Sequence, residues 1–211
     1  MIYHKMEMSS CQCLFPFRGN CSTISLNRRR EESMNVGEIL EADSANGTGI
    51  RLTLFVSGCT NHCKGCFNED TWDFNYGRPW TKELEEFFMG KLSLPFYEGM
   101  TILGGEPFEP SNQEEIVKLI RRVKKELPDK TIWMYTGFVY EADLVPGGRK
   151  YTDVTDEILD SIDILVDGPY VEEKKNVALN FRGSENQRII EMKKTREEGE
   201  IVLSPLNALV R

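Results

Sequence analysis

Arg51-Leu-Thr-Leu-Phe-Val-Ser57 runs directly into Gly58-Cys59-Thr-Asn-His-Cys63-Lys-Gly-Cys66-Phe67-Asn68. The first stretch has Leu52, Leu54 and Val56 on one face and Phe55 on the other, the pattern of a strand that is apolar on both sides. The second is a polar loop with three thiols. A buried strand emptying into a chemically loaded loop is the arrangement of parallel α/β proteins, whose ligands gather at the C-terminal ends of strands.

The flanking sequence repeats that alternation. Thr81 offers an N-cap to a helix near 82–92, with Glu83 and Glu85 in its first turn. Met100–Leu103 reads as a strand ending in Gly104-Gly105. Ser111 and Glu114 predict a capping box for a helix with Ile116, Leu119, Ile120, Val123 and Leu127 on one stripe, stopped by Pro128. Strands are expected at 131–136, 162–166 and 187–192, with a helix near 153–161. The predicted class is α/β with largely parallel strands, as an open doubly wound sheet or a partial barrel. No repeat of solenoid period is present.

Composition narrows the function. The chain has 211 residues, a net charge of −8 and a pI near 5.0. That balance argues against nucleic acid as the main partner, because phosphate binding needs clustered Lys and Arg. No run approaches the roughly 20 apolar residues of a bilayer span. The N-terminus has no apolar signal core, so a cytoplasmic location with reduced thiols is expected. Residues 1–33 carry Cys11, Cys13, Cys21 and Arg28-Arg29-Arg30 but no useful period. They read as an atypical, disordered extension, or as sequence upstream of a start at Met34, leaving 34–211 as the folded domain. A Cys11/Cys13 metal tail is the alternative, short of ligands for a four-coordinate site.

Thiolates are soft donors suited to iron–sulfur clusters or zinc. A structural zinc site wants four protein ligands, and His62 is in principle a fourth. Three ligands on a four-iron cube leave one iron open to a substrate. Trp72, Trp80 and Trp133, like Met34, Met89 and Met100, read as packing residues.

The Cys-x3-Cys-x2-Cys spacing of Cys59, Cys63 and Cys66 resembles the radical S-adenosylmethionine superfamily. That resemblance implies a partial (β/α)6-type barrel and one 4Fe-4S cluster per chain on these cysteines. It also implies reductive cleavage of S-adenosylmethionine bound at the open iron. Gly104-Gly105-Glu106-Pro107 resembles the superfamily element whose glycine backbone and carboxylate hold the ligand's ammonium, which assigns Gly105 and Glu106 to the cofactor. Asp167 in Val166-Asp167-Gly168 is a further candidate, an ordinary Asp-Gly turn being the competing reading. Many superfamily members have an aromatic residue before the third cysteine. Here Gly65 precedes Cys66 and Phe67 follows it.

That exchange is found in one branch. Together with Cys66–Trp72, Tyr135-Thr136-Gly137, Asp167–Val171 and Arg182–Arg188, it resembles the activating proteins of anaerobic ribonucleoside-triphosphate reductase, over residues 34–192. The resemblance implies a glycyl-radical activase acting on the large reductase subunit, with a flavodoxin- or ferredoxin-type electron donor. It places Gly65, Cys66 and Phe67 beside the ligand and leaves Arg182, Asn186, Gln187 and Arg188 without roles. The alternatives are a pyruvate formate-lyase-type activase, a deazaguanine carboxylate synthase-like enzyme, or a noncatalytic zinc- or cluster-binding module.

Overall fold

A computed structural model describes residues 34–208. The N-terminal extension, with Cys11, Cys13 and Cys21, lies outside the described residues.

Seven strands form one sheet: β1 (Asn35–Asp43), β2 (Arg51–Val56), β3 (Arg78–Pro79), β4 (Gly99–Gly104), β5 (Thr131–Tyr135), β6 (Ile164–Asp167) and β7 (Arg188–Glu191). Their order is β3-β1-β2-β4-β5-β6-β7. The central four, β2-β4-β5-β6, are parallel, while β1, β3 and β7 pair antiparallel. The sheet is therefore largely parallel at its centre and open between β3 and β7.

The expected strands are present. β1 is an addition, and its irregularity explains why the sequence did not announce it. The register with β2 shifts between Val36 and Glu38 and again between Leu40 and Asp43. Each shift breaks the period of two that marks a strand.

Five helices complete the described residues: α1 (Lys82–Leu92), α2 (Pro110–Glu126), α3 (Tyr140–Asp143), α4 (Thr155–Ser161) and α5 (Met192–Glu198). The Thr81 hydroxyl caps α1 by accepting from the Leu84 N–H at 3.3 Å. The capping box at Ser111 is not formed. Pro110, with its fixed φ, already occupies the first helical position, so Ser111 lies inside the helix and Glu109 precedes it.

The helices bury their stripes against one sheet face. Phe88 and Leu92 of α1, Ile116, Leu119, Ile120 and Val123 of α2, and Ile158 and Leu159 of α4 meet Leu52, Leu54, Met100, Ile102, Ile132, Met134, Leu165 and Ile190 in one cluster. Each such side chain contributes about 1.5–3 kcal/mol on full burial. The opposite face carries Arg51, Thr53, Thr101, Trp133 and Tyr135, and it remains available for a site.

Arg51 is fully buried there. Its guanidinium donates to Thr101 Oγ1 (2.7 Å), Met100 O (2.6 Å), Thr131 Oγ1 (3.0 Å) and Thr131 O (3.0 Å), and it lies 5.4 Å from the Trp133 ring centroid. Burial lowers its pKa to about 10, against the raising influence of Glu98, Tyr135, Asp163 and Asp43. The Thr101 hydroxyl donates in turn to Asn46 O at 2.8 Å. This network fastens the β1–β2 loop across the strand ends.

Candidate functional site

Cys59, Cys63 and Cys66 are free thiols that line one cavity of about 410 Å³ at the C-terminal ends of the parallel strands. The cavity is also lined by Asn46, Asn61, Trp72, Gly105, Glu106, Tyr135, Thr136, Tyr170 and Arg182, among others.

The cysteine loop is positioned by backbone bonds. Gly58 N–H donates to Thr71 O (2.8 Å) and Cys59 N–H to Trp72 O (3.2 Å), folding the 69–72 turn beneath the loop. Cys66 N–H donates to Cys63 O, closing a turn in which Gly65 has φ +71°. That left-handed backbone is the physical reason for glycine before the third cysteine.

Cys66 Sγ accepts from Asn68 N–H at 3.4 Å. Burial pushes the Cys59 thiol up to about 11 and raises Cys63 as well. His62 stacks on Trp72 at 4.7 Å between centroids. Trp72 is thus a wall of the cavity, correcting its assignment to the core, whereas Trp80 and Trp133 are buried as expected. Among the described residues, no three His, Cys, Asp or Glu side chains converge on a single-ion site.

Glu106 lies in the same cavity and is 1% exposed. Its Oε1 accepts from Phe108 N–H (2.9 Å) and the Thr136 hydroxyl (2.8 Å). Its Oε2 accepts from Gly137 N–H (2.7 Å) and Asn61 Nδ2 (3.2 Å). Burial raises its pKa to about 7, although these donors favour the ionised form. Four protein donors thus fix the carboxylate in the cavity wall.

Gly105 brings this loop against the cysteine loop. Its N–H donates to Val56 O (2.7 Å), the Glu106 N–H donates to Gly58 O (2.8 Å), and a Cβ on Gly105 would lie 2.6 Å from Gly58 O.

The structure brings the three cysteines, Phe67, Gly105 and Glu106 to one cavity, with Phe67 on its rim at 85% exposure. Gly65 adjoins the cavity by shaping the loop. Asp167 is directed elsewhere. It is fully buried, accepts from Tyr140 N–H (3.0 Å), and pairs with Arg188 at 2.5 and 2.9 Å.

Sequence reading singled out Tyr135-Thr136-Gly137 but did not see that Thr136 and Gly137 hold Glu106, and it missed Asn61 and the Phe108 N–H as the other groups that do. It also missed Glu109, whose Oε1 accepts from Thr60 N–H (2.9 Å) and the Thr60 hydroxyl (2.6 Å). The one available signal was the position of Glu109 three residues after Glu106, at the start of α2.

Soft donors on one wall and a caged carboxylate suit an iron–sulfur cluster with a cationic ligand. Two buried polar atoms of residues that line the cavity, Tyr135 Oη and Arg182 Nε, have no protein partner.

A family model described as a 4Fe-4S single cluster domain matches residues 45–190. Three relatives named anaerobic ribonucleoside-triphosphate reductase-activating protein align with the chain. The one from Vibrio cholerae serotype O1 is 39% identical over 158 residues, covering 74% of this chain and 97% of the relative. That from Escherichia coli K12 is 38% identical over 156 residues (73% and 96%). That from Enterobacteria phage T4 is 36% identical over 159 residues (74% and 93%). The chain belongs to the family of anaerobic ribonucleoside-triphosphate reductase-activating proteins, built on a 4Fe-4S single cluster domain.

Proposed function

We propose that this chain activates an anaerobic ribonucleoside-triphosphate reductase by generating a glycyl radical on its large subunit. The observation that carries the reading is the placement of three free thiols and the caged Glu106 around one cavity. A 4Fe-4S cluster held by Cys59, Cys63 and Cys66 would supply one electron for the reductive cleavage of S-adenosylmethionine to methionine, and the adenosyl fragment would leave as 5′-deoxyadenosine with the hydrogen atom of the glycine Cα.

The protein's part is ligation, orientation and exclusion of water. Cys59, Cys63 and Cys66 hold three irons. Glu106 receives the ligand's ammonium through a charge-assisted bond, with the Gly105 backbone close by. Phe67, on the rim beside Cys66, covers the ligand's outer side. The reading includes a partial barrel of the radical S-adenosylmethionine kind, and the largely parallel sheet with helices on one face supports it. Residues 34–211 constitute the catalytic domain, with 1–33 an extension of it. A flavodoxin- or ferredoxin-type protein supplies the electron, and the reaction takes place in the cytoplasm. Among the described residues, no helix is long and apolar enough to cross a membrane.

The test uses anaerobically reconstituted full-length protein with dithionite, S-adenosylmethionine and the reductase subunit. The expected outcome is 5′-deoxyadenosine release together with an organic radical on the reductase. Release with no radical on the reductase would assign the chain to another radical S-adenosylmethionine reaction. No release at all would favour a noncatalytic cluster module.

A further inference from the structure

Two apolar side chains stand apart on the surface. Val177 is 92% exposed and Phe67 85%, whereas every other exposed large apolar residue among the described residues is at 53% or below. Both belong to loops that border the cavity. Phe67 follows Cys66, and Val177 sits in the loop 175–184, whose Leu179, Phe181 and Arg182 line the cavity. The two loops meet. Lys175 Nζ lies 5.6 Å from the Phe67 ring centroid, and Glu172, just ahead of the second loop, pairs with Lys64 at 2.9 Å.

The exposure of Val177 belongs to a well-fastened loop. Lys175 and Ser184 form a β-bridge at its base, where Asn176 N–H donates to Gly183 O (3.2 Å) and Glu185 N–H to Lys174 O (3.0 Å). Asn180 Nδ2 ties the returning arm to Leu206 O (3.2 Å) and Ala208 O (3.1 Å). Phe181 has φ +49°, a backbone that a bulky residue adopts only when its surroundings impose it, and its ring stands edge-on to Trp133 at 5.4 Å. At the tip, Asn176 Oδ1 accepts from Ala178 N–H (3.0 Å), an Asx turn with Val177 at its crest. Such turns favour polar residues and glycine, and a β-branched apolar side chain there finds nothing among the described residues to bury against. Single exposed apolar residues are ordinary; two at this exposure on adjoining loops beside a reaction site are not.

Hydrogen-atom transfer is a contact reaction, with the reacting atoms roughly 3–3.5 Å apart. A glycine carried on another protein reaches this cavity only if that protein's chain passes over the rim. Resting on the activation reading above, we propose that Phe67 and the Val177 tip form the docking surface for the glycine-bearing segment of the reductase's large subunit, which buries both apolar side chains.

The test uses the full-length, cluster-loaded chain and the purified reductase subunit. Val177→Asp places a charge on the tip and leaves the cysteines and Glu106 untouched. Its iron content, and its release of 5′-deoxyadenosine in the absence of the reductase, should equal those of the unaltered protein. Its affinity for the reductase subunit, measured by biolayer interferometry, should fall by about tenfold or more, and Val177→Ile should retain that affinity. Phe67→Ala should weaken the same binding. Unchanged reductase affinity in Val177→Asp would overturn the proposal. So would a change confined to the rate at which reduced flavodoxin reduces the cluster, which would give the rim to the electron donor. A change confined to the sedimentation of the chain alone would overturn it as well, giving the rim to a second copy. Should Val177→Asp lose iron, Val177→Ser decides on the same readouts. An unaltered protein that binds the subunit through this rim but forms no radical on it would refute the activation reading and leave the docking surface in place.

Discussion

Lys150 Nζ lies 2.6 Å from Glu109 Oε2 and 3.0 Å from the Thr60 hydroxyl, with the Lys150 and Glu109 side chains 14% and 4% exposed. This buried pair clamps the residue that follows Cys59 to the start of α2. Removing one partner leaves the other charge uncompensated. Lys150→Met should therefore destabilise the protein by about 3–5 kcal/mol in denaturant unfolding. It should also lower the iron retained after desalting. Unchanged stability and iron content would mean that the clamp does not hold the cysteine loop.

Glu106 gives a pH dependence with a definite sign. Its pKa is raised to about 7 by burial, and only the ionised form attracts an ammonium. Affinity for S-adenosylmethionine, measured by equilibrium binding on the reconstituted protein, should fall as pH drops through 7 and level off above it. Glu106→Gln should bind weakly and lose this profile. A Glu106→Gln protein with unaltered affinity would remove the carboxylate from the ligand's site.

Asp167 offers the contrast. Its carboxylate is committed to Arg188 and to Tyr140 N–H, outside the residues that line the cavity. Asp167→Asn should cost about 1–3 kcal/mol of stability through the weakened buried bonds. Its affinity for S-adenosylmethionine should stay within about twofold of the unaltered protein, a difference of under 0.5 kcal/mol. A large affinity loss at unchanged stability would restore Asp167 to the ligand site.

Arg51 is the anchor of the β1–β2 loop that carries Asn46 into the cavity. Arg51→Met strands the buried acceptors Met100 O and Thr131 O and should cost about 3 kcal/mol or more. Arg51→Lys should recover only part of this, since an ammonium cannot reproduce the planar fork. Thermal unfolding of the two variants against the unaltered protein checks both statements.

Much of the centre of the fold was legible because its determinants are local. The β2 pattern, the three cysteines within eight residues and Gly104–Pro107 each encode their structure within one short stretch. β1 was hidden by its two register shifts. The capping box at Ser111 was misread because Pro110 had already begun the helix. The supporting network was illegible for a different reason. Lys150 reaches Thr60 across 90 positions and Glu109 across 41. Arg51 meets Thr131 across 80. Such contacts are made by the order of strands in the sheet, and a lone Lys or Arg carries no local mark of burial.

The central claim is that this chain takes a hydrogen atom directly from a glycine of the reductase. The most direct measurement supplies the reductase subunit with glycine deuterated at Cα and follows the label during activation. One deuterium in 5′-deoxyadenosine for each glycyl radical formed is the predicted result. Unlabelled 5′-deoxyadenosine alongside the radical, or no radical at all, would contradict it.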